Sequence, residues 1–136
     1  MPLRFGVIRQ KVTVDARPAQ VYDAFLDPKK HGEFTGSPAT CTKKVGGRFT
    51  AWDGYISGKI LALTKDKKIV QEWKTTEWPD GYPPSILELT FKLKGGKTEL
   101  VMVHSKVPAE QVGMYTDGWP ESYWNPLKEY FSQKRE

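Results

Sequence analysis

The fold is decided by the stretch GWPESYWNPLKEYF, residues 118–131, near the C-terminal end of the chain. Its large apolar residues recur three or four positions apart, the spacing of one helix face: Trp119, Tyr123, Leu127, Tyr130 and Phe131. A helix with so wide an aromatic stripe must bury that stripe against another element. We therefore predict one amphipathic helix over residues 119–133, held in the concave face of a sheet. Pro126 removes the amide that would bond the Ser122 carbonyl, which predicts a kink there.

The chain before this helix changes to a hydrophobic period of two, which is typical of strands. Gly46-Gly47 and Gly95-Gly96 mark tight turns between such segments. Between the first two strands, Pro18 suits the first turn of a helix, and a second helical turn or loop covers residues 29–36. The predicted strands cover residues 7–14, 39–44, 48–52, 55–64, 68–77, 85–93 and 97–105.

This order of elements predicts the fold class. One strand, one or two short helices, about six strands joined by short turns and a closing helix make antiparallel pairing the natural result. Helices that are segregated from strands indicate an α+β fold. With 136 residues and no internal boundary, the sequence is expected to form a single domain over residues 1–136.

The composition excludes several function classes. The net charge is +5, but the Lys and Arg residues are scattered, so we predict no nucleic-acid binding. The single cysteine, Cys41, allows no intramolecular disulfide. The first six residues lack the apolar core of a signal peptide, and no apolar run approaches the roughly 20 residues of a membrane span. We therefore expect a cytoplasmic protein.

Four segments, taken together, resemble a known family: residues 16–25 (ARPAQVYDAF), 45–49 (VGGRF), 54–60 with 68–73 (GYISGKI, KIVQEW), and 98–108 (TELVMVHSKVP) leading to Gly118-Trp119. They are similar to the helix-grip fold of the START and birch-pollen-allergen (SRPBCC) superfamily. Within it the chain resembles the C-terminal domain of the activator of heat-shock protein 90 ATPase. The resemblance implies a curved antiparallel sheet of about six or seven strands around a long C-terminal helix. It also implies a chaperone partner, a role in stress response and a hydrophobic small ligand.

The residues are compatible with two functions. The first is a non-enzymatic binding module for a hydrophobic small molecule, a chaperone of the heat-shock protein 90 type, or both. The second is a small polyketide cyclase or hydrolase-type enzyme that uses the same cavity, with His104 and Tyr123 as an acid–base pair. The sequence favours the binding module, because the strand parities supply few inward polar groups. The polar candidates are His104, Glu72 and Tyr123. The candidate pocket lining is Trp73, Phe91, Met102, His104, Trp119, Tyr123 and Leu127.

The remaining candidate residues give weak support for thiol catalysis or for a metal site. Cys41 lies between threonines without a nucleophile motif, so with His31 it is a weak candidate for thiol catalysis, and we expect a small buried thiol. Two histidines and one cysteine lack the ligand spacing of a zinc site, so no metal and no cofactor are predicted. The loop over residues 78–84, rich in proline and aromatic residues, is expected either to contact a partner or to pack over one mouth of the hollow.

Overall fold

A computed structural model describes residues 3–134 of the chain; the ends of the predicted domain, residues 1–2 and 135–136, lie outside this range. The strands and helices are β1 (Phe5–Val14), α1 (Pro18–Leu26), α2 (Pro28–Thr35), β2 (Thr40–Cys41), β3 (Arg48–Ala51), β4 (Ile56–Thr64), β5 (Lys68–Thr75), β6 (Ser85–Lys94), β7 (Lys97–Pro108), a 3₁₀ turn (Ala109–Gln111), α3 (Val112–Trp119), a π-helical turn (Pro120–Trp124) and α4 (Asn125–Lys134).

The seven strands form one sheet in the order β1-β7-β6-β5-β4-β3-β2, and every neighbouring pair is antiparallel. The chain therefore starts at one edge of the sheet, and α1 and α2 carry it across to the other edge. The predicted α+β helix-grip fold, with a curved sheet around a long C-terminal helix, is confirmed. The alternation of β6 also predicts one apolar face made of Leu87, Leu89, Phe91 and Leu93. The first three are buried, whereas Leu93 is 62% exposed near the end of the strand.

Proline residues and side-chain hydrogen bonds mark the starts of the two short helices. Pro18 and Pro28 each open a helix, where a missing N–H is no loss. The Arg17 amide donates a hydrogen bond to the Gln20 side chain at the start of α1. The Asp27 carboxylate accepts a hydrogen bond from the Lys30 amide at the start of α2. Each helix therefore has a backbone amide at its N-terminus that is paired with a side chain. Residues 29–36, predicted as a helical turn or loop, therefore belong to a true helix that brings Phe34 and His31 into the interior.

The C-terminal helix, which we define as the continuous segment from Val112 to Lys134, begins seven residues before the predicted start at Trp119. Its predicted inward stripe is correct at the centre, where Trp119, Tyr123 and Leu127 are at most 4% exposed. Before Pro126 the helix forms its π-helical turn, in which the Asn125 amide donates to the Pro120 carbonyl. This irregular turn lies where the missing Pro126 amide was expected to disturb the helix, since π turns insert where the regular hydrogen-bond ladder is interrupted.

Two strand ends differ from the prediction because turns begin early. Residues 39–44 were expected to be extended, but β2 holds only Thr40 and Cys41, since the Lys44 amide turns back to the Thr42 carbonyl. Likewise β5 ends at Thr75, because the Trp78 amide donates to the Thr75 carbonyl. Residues 52–55, between β3 and β4, contribute Trp52 and Tyr55 to the wall of an apolar cavity between the sheet and the C-terminal helix.

Candidate functional site

An apolar cavity of about 300 Å³ lies between the first turns of the C-terminal helix and the β3–β5 side of the sheet. This volume is at the lower end of the range for small-molecule pockets, about 300–1,000 Å³. Six of the ten residues in its wall are aromatic, and none carries a formal charge. The wall consists of Trp52, Tyr55, Ile56, Trp73, Met114, Tyr115, Gly118, Trp119, Ser122 and Tyr123.

Three of the seven residues predicted to line a pocket lie in this wall: Trp73, Trp119 and Tyr123. The other four, Phe91, Met102, His104 and Leu127, are at most 3% exposed and pack in the core instead. Their side chains fill the core between sheet and helix, and the cavity lies to one side of them. Whether the three wall residues bind a ligand stays a prediction.

His104 connects the centre of the helix to the sheet through a directed series of hydrogen bonds. The Trp119 indole N–H donates to Nδ1 of His104 at 3.1 Å, and Nε2 lies 2.7 Å from the Ser85 hydroxyl. The Ser85 hydroxyl donates in turn to the Trp73 carbonyl at 2.6 Å. Since Nδ1 accepts, the Nε2–H must be the donor to Ser85, which fixes one neutral tautomer.

Burial lowers the pKa of His104 to about 3, so the ring is neutral at physiological pH. Both of its nitrogens are already engaged and it does not line the cavity. The ring is therefore placed to hold the helix against the sheet, and it has no nitrogen left for a substrate.

Tyr123 pairs with His31 and not with His104. Its hydroxyl lies 2.9 Å from Nε2 of His31, whose Nδ1–H donates to the Phe25 carbonyl at 3.1 Å. Because Nδ1 carries the proton, Nε2 accepts from the phenol. Burial lowers the pKa of His31 and raises that of Tyr123 well above its usual value. The acid–base pair proposed from the sequence is thus not brought together, and the histidine that reaches Tyr123 comes from α2.

The first turn of the C-terminal helix is fixed to the end of β5. The Glu77 amide donates to the Thr75 hydroxyl, which lies 2.6 Å from the Tyr115 hydroxyl, and Tyr115 donates to the Gln111 side chain. The Gln111 amide group also donates to the Glu77 carbonyl at 2.7 Å. Burial raises the pKa of Tyr115 to about 12. This network holds one side of the cavity wall rigid without an ionisable group at neutral pH.

Three further polar candidates, Glu72, Cys41 and His31, lie outside the cavity wall. Glu72 is partly exposed on the face of β5 opposite to Trp73, as strand alternation requires. Cys41 and His31 share the wall of a small crevice of about 20 Å³. Burial raises the pKa of the Cys41 thiol, and both nitrogens of His31 are already bonded, so neither group activates the other. Within residues 3–134, no three His, Cys, Asp or Glu side chains gather as metal ligands would.

The loop over residues 78–84 packs against the mouth of the hollow. The Trp78 ring stacks on Tyr115 and meets Trp73 edge-on, while its N–H donates to the Pro83 carbonyl. The Tyr82 ring meets the Phe5 ring edge-on, and the Tyr82 hydroxyl accepts a hydrogen bond from the Arg4 amide. We expected this loop either to contact a partner or to pack over one mouth of the hollow. Its contacts are of the packing kind, because the loop lies across the start of β1 and the end of β5.

Seven wall residues lie outside the predicted pocket lining: Trp52, Tyr55, Ile56, Met114, Tyr115, Gly118 and Ser122. One signal was available, since Tyr115, Trp119 and Tyr123 follow each other at four-residue steps and would have shared a face of a longer helix. The position of Trp52 had no such signal, because it depends on the backbone angles of the turn after β3.

Comparisons with known proteins agree with this architecture. Residues 15–132 match the family model described as Activator of Hsp90 ATPase homolog 1-like protein. The human activator of 90 kDa heat shock protein ATPase homolog 1 is 35% identical over 124 residues, which make up 91% of this chain and 36% of the human protein. The chain thus spans about a third of the length of this curated relative.

Solved structures show the same fold. PFC0360w, an HSP90 activator from Plasmodium falciparum, superposes with a TM-score of 0.81 at 25% identity over 90% of this chain and 94% of that one. CalU16 from Micromonospora echinospora superposes with a TM-score of 0.74 at 25% identity, covering 98% of this chain and 79% of its own. No helix within residues 3–134 is both long and apolar enough to cross a membrane.

Proposed function

Since the chain belongs to the family of Activator of Hsp90 ATPase homolog 1-like proteins, we propose that it is a non-enzymatic co-chaperone module that binds a chaperone of the heat-shock protein 90 type. The observation that carries the proposal is the match to the human activator, which extends over 91% of this chain. The proposal includes a cytoplasmic location and a role in stress response.

The start of edge strand β1 is the surface that we assign to this contact. Leu3, Phe5 and Val7 alternate along the chain and each is more than 40% exposed. Single exposed apolar residues are ordinary, but several together on an edge strand favour an interaction site. Arg9 and Lys11 continue the same exposed face and would suit an acidic partner surface.

The test is the steady-state ATPase rate of the cognate chaperone with increasing concentrations of this protein. We expect the rate to rise with concentration to a plateau. The Phe5→Ser and Val7→Ser variants should each raise the half-maximal concentration by about tenfold, roughly 1.4 kcal/mol of lost apolar burial. The matched control is Leu93→Ser, which changes an isolated apolar side chain that is 62% exposed at the far end of β6.

Two results would count against the proposal. An unchanged ATPase rate at saturating protein would remove the activator function and leave only the shared fold, which does not determine activity. If Phe5→Ser and Leu93→Ser change the half-maximal concentration equally, the activator function would stand, but the start of β1 would not be its contact surface.

A second function is supported by the cavity, and we propose that it binds a hydrophobic small molecule. Its aromatic wall and its volume of about 300 Å³ fit an uncharged apolar ligand. The wall residues that the structure describes include no carboxylate, imidazole, thiol or amine, and burial raises the pKa of both Tyr115 and Tyr123. These observations favour binding over the cyclase or hydrolase-type chemistry considered from the sequence, because acid–base catalysis needs a group that titrates near neutral pH.

A further inference from the structure

Gly118 lies in the wall of the apolar cavity and brings no side chain to it. Met114, one helical turn before it, and Ser122, about one turn after it, line the same cavity. Residues four positions apart lie on one face of a helix, so a side chain at position 118 would point towards the cavity. A Cβ built there meets no heavy atom within 4 Å among the described residues, apart from its chain neighbours and the adjoining helix backbone. The space that it would enter is therefore open.

The backbone at Gly118 does not require a glycine. Its φ is not in the left-handed region, and the residue lies inside α3, where glycine is a poorer helix former than alanine. Crowding does not require a glycine there either. At Gly58, by contrast, an added Cβ would lie 1.8 Å from the Glu72 carbonyl oxygen. Neither conformation nor close packing accounts for the glycine at position 118, whereas the open cavity beside it does.

The surroundings of Gly118 define what can occupy this space. Six of the ten wall residues are aromatic and none carries a formal charge, so a charged ligand would lose its hydration without gaining a partner. Met114, whose side chain is 43% exposed, is unbranched and can adapt to the shape of an apolar group beside it. Glycine is also the residue that allows a ligand to approach the backbone closely. The open space therefore suits an uncharged apolar group that lies against the helix.

We propose that Gly118 sets the size of the molecule that the cavity accepts, and that an uncharged apolar ligand packs directly against the helix backbone at this position. This inference rests on the ligand-binding function proposed above and adds the residue that determines the size of the ligand. A side chain at position 118 would occupy space that the ligand needs, without displacing any part of the fold. Replacing Gly118 should therefore change the stability of the helix and the affinity for the ligand in opposite directions.

The experiment measures binding of N-phenyl-1-naphthylamine, a neutral aromatic probe whose fluorescence rises in apolar surroundings. Gly118→Ala and Gly118→Met add a short and a long unbranched side chain at the same position. We expect Gly118→Ala to raise the midpoint of thermal unfolding by about 2–4 °C, because alanine is the better helix former and its Cβ has room. The probe affinity should fall from glycine to alanine to methionine. For Gly118→Met the loss should be about tenfold or more, because side chain and probe would compete for the same space.

Gly113→Ala and Gly113→Met are the matched controls. Gly113 lies in the same helix and also has open space around an added Cβ, but it is not part of the cavity wall, so both variants should keep the probe affinity. An unchanged affinity in Gly118→Met would overturn the role of Gly118 but leave ligand binding standing. A lower thermal midpoint in Gly118→Ala would show that the backbone needs the glycine, and it would overturn the inference in the same way.

The unaltered protein provides the test of the underlying function. If N-phenyl-1-naphthylamine does not bind to it at any concentration up to the solubility of the probe, the ligand-binding function itself is overturned, and the inference about Gly118 with it. Binding to the unaltered protein and to both Gly113 variants, combined with weaker binding to the Gly118 variants, would support both the function and the residue that limits it.

Discussion

Because His104 is buried and neutral, the stability of the fold depends on pH even above about pH 5, where carboxylates scarcely titrate. The pKa of His104 falls from 6.5 to about 3 on folding because the ring is desolvated. Between these values the unfolded chain binds a proton on this ring and the folded chain does not, so stability rises with pH across the window. The contribution is fully present above pH 6.5 and is lost as the pH falls towards 3.

The magnitude follows from linkage. Each pH unit below 6.5 costs about 1.4 kcal/mol, so lowering the pH from about 7.5 to 5 removes about 2 kcal/mol through His104 alone. His31, whose pKa is also lowered by burial, adds a loss of the same sign. Hydrogen bonds lower the pKa of Asp27 and Glu99 below their usual range, so the stabilisation that these carboxylates contribute is lost mainly below about pH 5.

The assay is urea unfolding followed by tryptophan fluorescence at several pH values between about 7.5 and 5. The variant His104→Gln removes the titrating ring and keeps an amide that can reach Ser85. It starts from a lower stability, but its loss on acidification should be about 2 kcal/mol smaller than that of the unaltered protein. His31→Gln is the control and should retain the His104 share of the loss. If His104→Gln and the unaltered protein lose the same stability on acidification, the argument from the buried neutral ring is refuted.

Three further predictions concern the packing of the helix and the sheet. Trp119→Phe leaves the buried Nδ1 of His104 without its donor, and the free energy of unfolding in urea should fall by about 1–3 kcal/mol; no change would mean that the bond contributes nothing. Leu127→Ala opens a cavity at a fully buried position and should cost about 2–5 kcal/mol, whereas Leu93→Ala at an exposed position should stay within about 0.5 kcal/mol. Gly58→Ala places a Cβ 1.8 Å from the Glu72 carbonyl oxygen and should lower the midpoint of thermal unfolding by disturbing the β4–β5 pairing, whereas Gly113→Ala, in a helix with open space, should raise the stability by about 0.5–1 kcal/mol. An unchanged midpoint of thermal unfolding for Gly58→Ala would show that β4 and β5 can move apart to accommodate the added Cβ.

Local patterns predicted most of the fold. The alternation along β6 identified its inward face correctly at Leu87, Leu89 and Phe91 but not at the exposed Leu93. The spacing of Trp119, Tyr123 and Leu127 identified the buried side of the helix. The start of the helix was missed for a physical reason. Residues 112–118 include Gly113, Thr116 and Gly118, which are poor helix formers, and the segment is held by tertiary bonds such as that between Tyr115 and Thr75.

The candidate site was less accessible to sequence reasoning. The partner of Tyr123 is His31, 92 residues earlier in the chain, and no local pattern connects the two. Likewise, only the structure shows that Trp52 has a left-handed backbone conformation and joins the cavity wall. Polar pairs between distant residues and positive φ at a non-glycine residue depend on the assembled fold, so periodicity cannot reveal them.

The pairing of β1 with β7 has a consequence for how the protein is made. Val14 lies opposite Thr98 and Phe5 opposite Pro108, so β1, the first strand of this sheet in chain order, has no neighbour until β7, the last one, has been synthesised. Contacts between residues so far apart in the chain form slowly, because the intervening loop must close first. During that interval the apolar side of β1 is unprotected, and the nascent chain itself becomes a candidate client for the cell's folding machinery.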